Sequence, residues 1–100
     1  MITALIIYAT GEVEIVKYNV NNIFKFYNSQ LYINDLCFIY CEHMDTYNYM
    51  ANYLINTLNN TTNIINNICG NVYILKIEEN NNIVNFNQEQ IEEIMQSIGS

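Results

Sequence analysis

The hydrophobic and polar positions of this chain change period several times, and each change marks an element. "TALIIYA" (3–9) is apolar without alternation, which predicts a central strand covered on both faces. "TGE" (Thr10 to Glu12) reads as a turn. "EVEIVKY" then alternates, with Val13 and Ile15 on one face and Glu12 and Glu14 on the other, so a hairpin with one solvated face is expected. Asn19 or Asn21 can cap a short helix through Tyr27, with Ile23, Phe24 and Tyr27 spaced to face the core. "LYIND" leads into "LCFIYCE", a strand rich in aromatic and β-branched residues.

The second half repeats the alternation of helix and strand. Asp45 is the expected N-cap of a helix whose apolar stripe runs through Tyr47, Met50, Ala51, Leu54 and Leu58. "NNTTNIINN" is polar low complexity, a loop or frayed helix end anchored by Ile64 and Ile65. After Cys69 and Gly70, "NVYILKIE" is again apolar on both faces and predicts a second central strand. Asn80 to Asn82 form a turn that tolerates left-handed backbone, leading into "IVNF". The last helix has the clearest local signals. Asn87 caps it, Gln90 completes a capping box, and Phe86 with Ile91 make a hydrophobic staple. Ile91, Ile94, Met95 and Ile98 are its expected buried stripe, Glu89, Glu92 and Glu93 its solvated side, and Gly99 its stop. The order ββαβαββα predicts a single α+β domain over residues 1–100, a mixed or antiparallel sheet packed by about three helices.

Composition changes the functional picture more than the structural one. Asn and Ile dominate, Tyr is frequent, and Pro and Trp are absent, the bias of AT-rich coding. AT-rich coding also favours lysine, yet the only cations are Lys17, Lys25 and Lys76, against ten carboxylates and a formal charge of −7. An acidic surface is therefore a maintained property. It lacks the positive field that nucleic acid or an anionic membrane requires, and it suits solubility, a basic protein partner or nucleic-acid mimicry. No basic-then-apolar leader and no membrane-length apolar run is seen, so a cytoplasmic protein with reduced thiols is expected.

Reactive side chains concentrate in "CFIYCEHMD" (37–45). Strand alternation puts Cys37, Ile39, Cys41 and His43 on one face, with Cys37 and Cys41 about 13 Å apart, beyond a disulfide or one metal ion. Cys41 and His43 could share a ligand, but two donors fall short of the four of a structural zinc site. A thiolate at Cys41 stabilised by His43 is a second option, without an orienting partner or oxyanion loop. The simplest reading makes the cysteines small core residues. Glu42 and Asp45 could pair as acid and base, but a helix cap is the plainer role. Gly11, Gly70 and Gly99 are isolated and form no phosphate loop. No catalytic residue, metal or cofactor is therefore expected.

One further pattern is non-catalytic. Opposite its core stripe, the helix after Asp45 carries Tyr49, Asn52, Tyr53 and Asn56, a favourable contact surface because tyrosine presents much area at little rotamer cost. AT-rich coding alone also scatters Tyr and Asn.

Four stretches carry a family resemblance. "MITALIIYATGEVEIVKYN" resembles the apolar strand and acidic hairpin partner that open the domain of unknown function 3846 family. "FIYCEH" resembles its strand with an acidic end, "ICGNVYILKI" its glycine strand, and "NQEQIEEIM" its last helix. The resemblance spans nearly the full length and departs from the family in the middle, at "NSQ" and "MDTYNYMANYL". It implies bacterial, phage or mobile-element origin and no assigned activity, and it aligns Cys41 with a family asparagine. Together these point to a non-enzymatic accessory factor that binds a protein, such as a host defence or regulatory factor, with homo-oligomerisation open. The alternative is a small-ligand protein that sequesters a nucleotide signal near Cys41 and His43, at a helix N-terminus.

Overall fold

Three hairpins, each closed by a turn its residues favour, build one sheet. The computed structural model describes residues 2–19, 29–41, 44–58 and 68–99. Strands β1 (Ile2–Ile7) and β2 (Val13–Tyr18) pair antiparallel from Ile2↔Tyr18 to Ile7↔Val13. Gly11 closes their turn at φ 97°, where a side chain would be strained, and its N–H donates to the Tyr8 carbonyl at 2.9 Å. Strands β3 (Ser29–Ile33) and β4 (Leu36–Tyr40) join through Asn34 and Asp35, with Asn34 left-handed at φ 54°. Strands β5 (Val72–Glu78) and β6 (Asn82–Val84) join through the 3-10 turn Glu79–Asn81, with Asn80 at φ 63°. Asparagine is the residue that tolerates this backbone best after glycine. Helix α1 (Tyr49–Leu58) links the second and third hairpins, and helix α2 (Gln88–Gly99) follows the third.

Among the described residues every strand pairing is antiparallel, in the order β2-β1-β5-β4-β3, with β6 also on β5. Strand β5 is the organiser. Residues Tyr73 to Lys76 pair with β4, Val72 to Ile74 with β1, and Lys76 to Glu78 with β6. Since a strand has two edges, β1 and β6 share one of them end to end. The Thr3 N–H donates to the Asn85 side chain at 2.9 Å beside that junction.

Alternation sorts the side chains into two apolar layers. Leu5, Ile7, Leu36, Phe38, Val72 and Ile74 face both helices and pack with Leu54, Ile55, Ile91 and Ile94. Ala4, Ile6, Cys37, Ile39, Tyr73, Leu75 and Ile77 form a second buried layer with no member from either helix. This is why β1 and β5 read as apolar on both faces. The edge strand β2 departs from a simple solvated face. Val13 packs against the first layer and Val16 against the second, while Ile15, opposite Leu5, is exposed.

The expected order ββαβαββα, five strands under about three helices, needs correction. Among the described residues there are six strands, all antiparallel, and two α-helices. The extra strand is β3. Its short "SQLYI" stretch mixes exposed Gln30 and Tyr32 with buried Ser29 and Ile33, so it lacks a long apolar signature. Only the tight Asn34–Asp35 turn and the pairing to β4 define it. The helix expected through Tyr27 and the anchors Ile64 and Ile65 lie outside the described residues. The final helix keeps its expected cap, but Met95 sits toward solvent, so Ile91, Ile94 and partly Ile98 carry its packing.

Candidate functional site

Helix α1 is positioned from below by asparagines. Residues 46–48 run antiparallel to 68–70: Gly70 N–H donates to the Thr46 carbonyl at 2.6 Å, Asn48 N–H to the Ile68 carbonyl at 3.0 Å, and Tyr47 bridges Cys69. That pairing consumes the segment where Asp45 was expected to cap. The cap is instead Asn48, whose Oδ1 accepts the Ala51 N–H at 3.0 Å, and Asp45 stays exposed. Asn48 is fully buried, and its Nδ2 donates to the carbonyls of Ile7 (2.9 Å) and Gly70 (2.8 Å).

The outward face of α1 keeps three of its four expected residues. Tyr49 is 78% exposed, Tyr53 53%, and Asn56 is exposed one turn further on. The Tyr49 ring stands edge-on to Tyr47, centroids 4.6 Å apart at 74°, which restrains it. Asn52 does not belong to this surface. It lies about 60° round the helix from Tyr49, and it is buried. Its Nδ2 donates to the carbonyls of Asn48 (2.7 Å) and Ile68 (2.9 Å), and its Oδ1 accepts the Ile68 N–H at 3.2 Å. The helical pattern placed Asn52 among polar residues, and nothing local distinguished it from Asn56.

Among the described residues the cysteines are not drawn into a site. Cys37 lies in the second apolar layer, and burial pushes its thiol pKa up, a hydrogen bond from Tyr32 acting the other way. Burial and the neighbouring Cys37 also raise Tyr32. A buried, raised thiol is the reverse of an activated nucleophile. Cys41 is half-buried just past β4, while Glu42 and His43 lie outside the described residues, so the Cys41–His43 ligand pair does too. Among the described residues Cys37, Cys41 and Cys69 form no disulfide, and no three His, Cys, Asp or Glu side chains come together for a metal.

A concavity that sequence reasoning missed lies at the other end of α1. Lys76 is on the helix-facing side of β5, following Val72 and Ile74, and its ammonium pairs with the Asp35 carboxylate in the β3–β4 turn. The Asp35 carbonyl accepts the Ile77 N–H at 2.9 Å, which ties the turn to β5. Beside this pair, a cavity of about 200 Å³ opens over Leu36, Leu58, Phe86 and Ile94, with Gln90, Glu93 and Ser97 of α2 along its rim. The signal was a lone lysine inside the apolar run "VYILKIE", whose charge must find a partner at the strand's end.

Among the described residues no helix is long and apolar enough to cross a membrane. Comparison with protein-family models, curated proteins and solved structures finds no match to this chain, so the family resemblance stands on its motifs alone.

Proposed function

We propose that this chain is a non-enzymatic domain that binds a basic protein through the outward face of α1. The observation that carries the reading is the exposure of Tyr49 and Tyr53, one turn apart on a helix whose other side is fixed by buried bonds. Met44, 49% exposed, adds apolar surface near the helix start. Aromatic side chains on a rigid element bind with little entropy loss. The charge of −7 favours a basic partner and raises its rate of encounter. The motif resemblance supports a setting in a phage or mobile element, where the partner is a host defence or regulatory protein. The nucleotide-sequestering alternative is weaker, because phosphate wants cations and Lys76 is already paired.

The test is affinity capture from bacterial lysate with quantitative mass spectrometry, the wild type against Tyr49→Ala/Tyr53→Ala. One basic protein enriched by the wild type and reduced about tenfold by the double variant, a loss of about 1.4 kcal/mol, is expected. Equal enrichment by both forms rejects this face.

A further inference from the structure

We propose that the cavity beside Lys76 is a receptor for a lysine or arginine side chain of a protein partner. The inference rests on the reading of the chain as a protein-binding domain, but it places a second contact away from the tyrosines.

The lining specifies an aliphatic stem with a cationic head. Leu36, Leu58, Phe86 and Ile94 give an apolar floor, which a chain of methylenes covers well. The rim is acidic. Asp35 and Glu93 border the cavity, and a larger, more open depression of about 680 Å³ sharing Asp35, Lys76 and Gln90 adds Glu78 and Glu79. Four carboxylates thus face one ammonium, and that ammonium is held by Asp35. An entering anion meets repulsion from three of the four. An uncharged apolar ligand fills the floor but leaves the rim without a counterpart. An ammonium or guanidinium meets Glu93 at the mouth and forms a charge-assisted bond there. The size agrees: the apolar cavity of about 200 Å³ suits one long side chain, and the open depression beside it leaves room for the backbone that carries that side chain.

The surroundings favour a protein rather than a free amine as the source. Glu89 and Glu92 lie exposed on α2 near Glu93, so the carboxylates extend beyond the cavity as a surface that a basic segment can follow. Affinity then comes from several charges, while the cavity selects the side chain that enters.

The test titrates the isotope-labelled full chain with a capped pentapeptide containing two lysines, following amide shifts by NMR. The same peptide with norleucine for lysine, and n-butylamine alone, are run in parallel. Saturable shifts at Leu36, Phe86, Glu93 and Ile94 are expected with the lysine peptide. Glu93→Gln is expected to weaken binding at least threefold. Ser97→Trp, which fills the rim without changing charge, is expected to weaken it at least tenfold with the circular dichroism spectrum retained. Equal binding of the norleucine peptide, unchanged affinity in Ser97→Trp, or shifts spread evenly over all acidic surfaces overturns the proposal. Butylamine binding as tightly as the peptide overturns the protein source. The tyrosine double variant separates this inference from the reading it rests on. Lost partner capture with no lysine-peptide binding rejects the cavity alone. Saturable peptide binding with equal capture by both forms rejects the tyrosine face and leaves the cavity.

Discussion

The two helices that pack on the first apolar layer begin in opposite ways. Helix α2 opens on a reciprocal pair three residues apart: Asn87 Oδ1 accepts the Gln90 N–H at 2.8 Å, and Gln90 Oε1 accepts the Asn87 N–H at 3.1 Å. Both bonds are exposed, and neither needs the rest of the protein. Helix α1 opens on Asn48, which caps Ala51 but also holds Ile7 and Gly70, 41 and 22 residues away in sequence. One cap is local punctuation. The other is a junction where β1, the 68–70 segment and the helix meet. The difference teaches that an N-cap asparagine has spare donors, and burial decides whether they remain in water or tie distant segments. It also bears on the proposed binding role, because the tyrosine face is held by the junction beneath it.

The comparison breaks most visibly at Asn48. Asn48→Ala removes the cap and withdraws the donor from two buried carbonyls, an expected loss of about 3–4 kcal/mol in urea unfolding. Asn48→Asp keeps the acceptor for Ala51 but turns a carboxylate toward those same carbonyls, so it is expected to do no better than alanine. Wild-type stability of Asn48→Asp in that measurement would reduce the junction to an ordinary cap. Next in size is Asn52→Ala, which leaves the buried Ile68 N–H without its acceptor and the Ile68 carbonyl with the Asn48 N–H alone. A loss of about 2–3 kcal/mol is expected, with hydrogen exchange accelerating at Ile68 before the β5 amides.

The same contrast explains how much could be read in advance. The cap and staple of α2, the two-sided strands β1 and β5, and the left-handed turn at Asn80 rest on residues within a few positions of each other. All are legible in sequence because the causes are local. Strand β3 was not legible, since its identity comes from pairing with β4 across a two-residue turn. Asp45 looked like a cap because it precedes an apolar period. The competing pairing of 46–48 with 68–70 moved the helix start to Tyr49. Of the candidate site, Tyr49, Tyr53 and Asn56 were placed by helical period alone, whereas buried Asn52 needed its partner at Ile68. The Lys76 cavity needed the β3–β4 turn, β4, β5 and both helices at once.

Gly70 tests the junction from its third side. Its φ is 78°, and a Cβ there would lie 2.7 Å from Met44 Cγ and 2.8 Å from Met44 Cβ. Gly70→Ala therefore carries left-handed strain of about 1–2 kcal/mol, plus whatever displacement Met44 must make. Met44 is exposed and flexible at its end, but the clash reaches its Cβ, so the backbone at 44 must move as well. The expected result in urea unfolding is a loss at least as large as the strain alone. Met44→Ala in the same background is expected to recover only part of it, because the Cβ remains.

The smallest expected effect is at α2. Asn87→Ala removes the acceptor for the Gln90 N–H at an exposed helix start, where water replaces it, so about 1 kcal/mol is expected. Hydrogen exchange should quicken only in the first turn of α2, and the tyrosine face of α1 should be untouched. The sharper version compares Asn87→Ala with Asn87→Ser. Serine retains a capping oxygen and is expected to restore most of the loss, whereas Asn48→Ser has no amide to reach Ile7 and Gly70 and is expected to restore little. Equal rescue at both positions would mean that the distant bonds of Asn48 add nothing to its cap. A rescue at position 87 alone would locate the difference between the two helices in the side-chain amide.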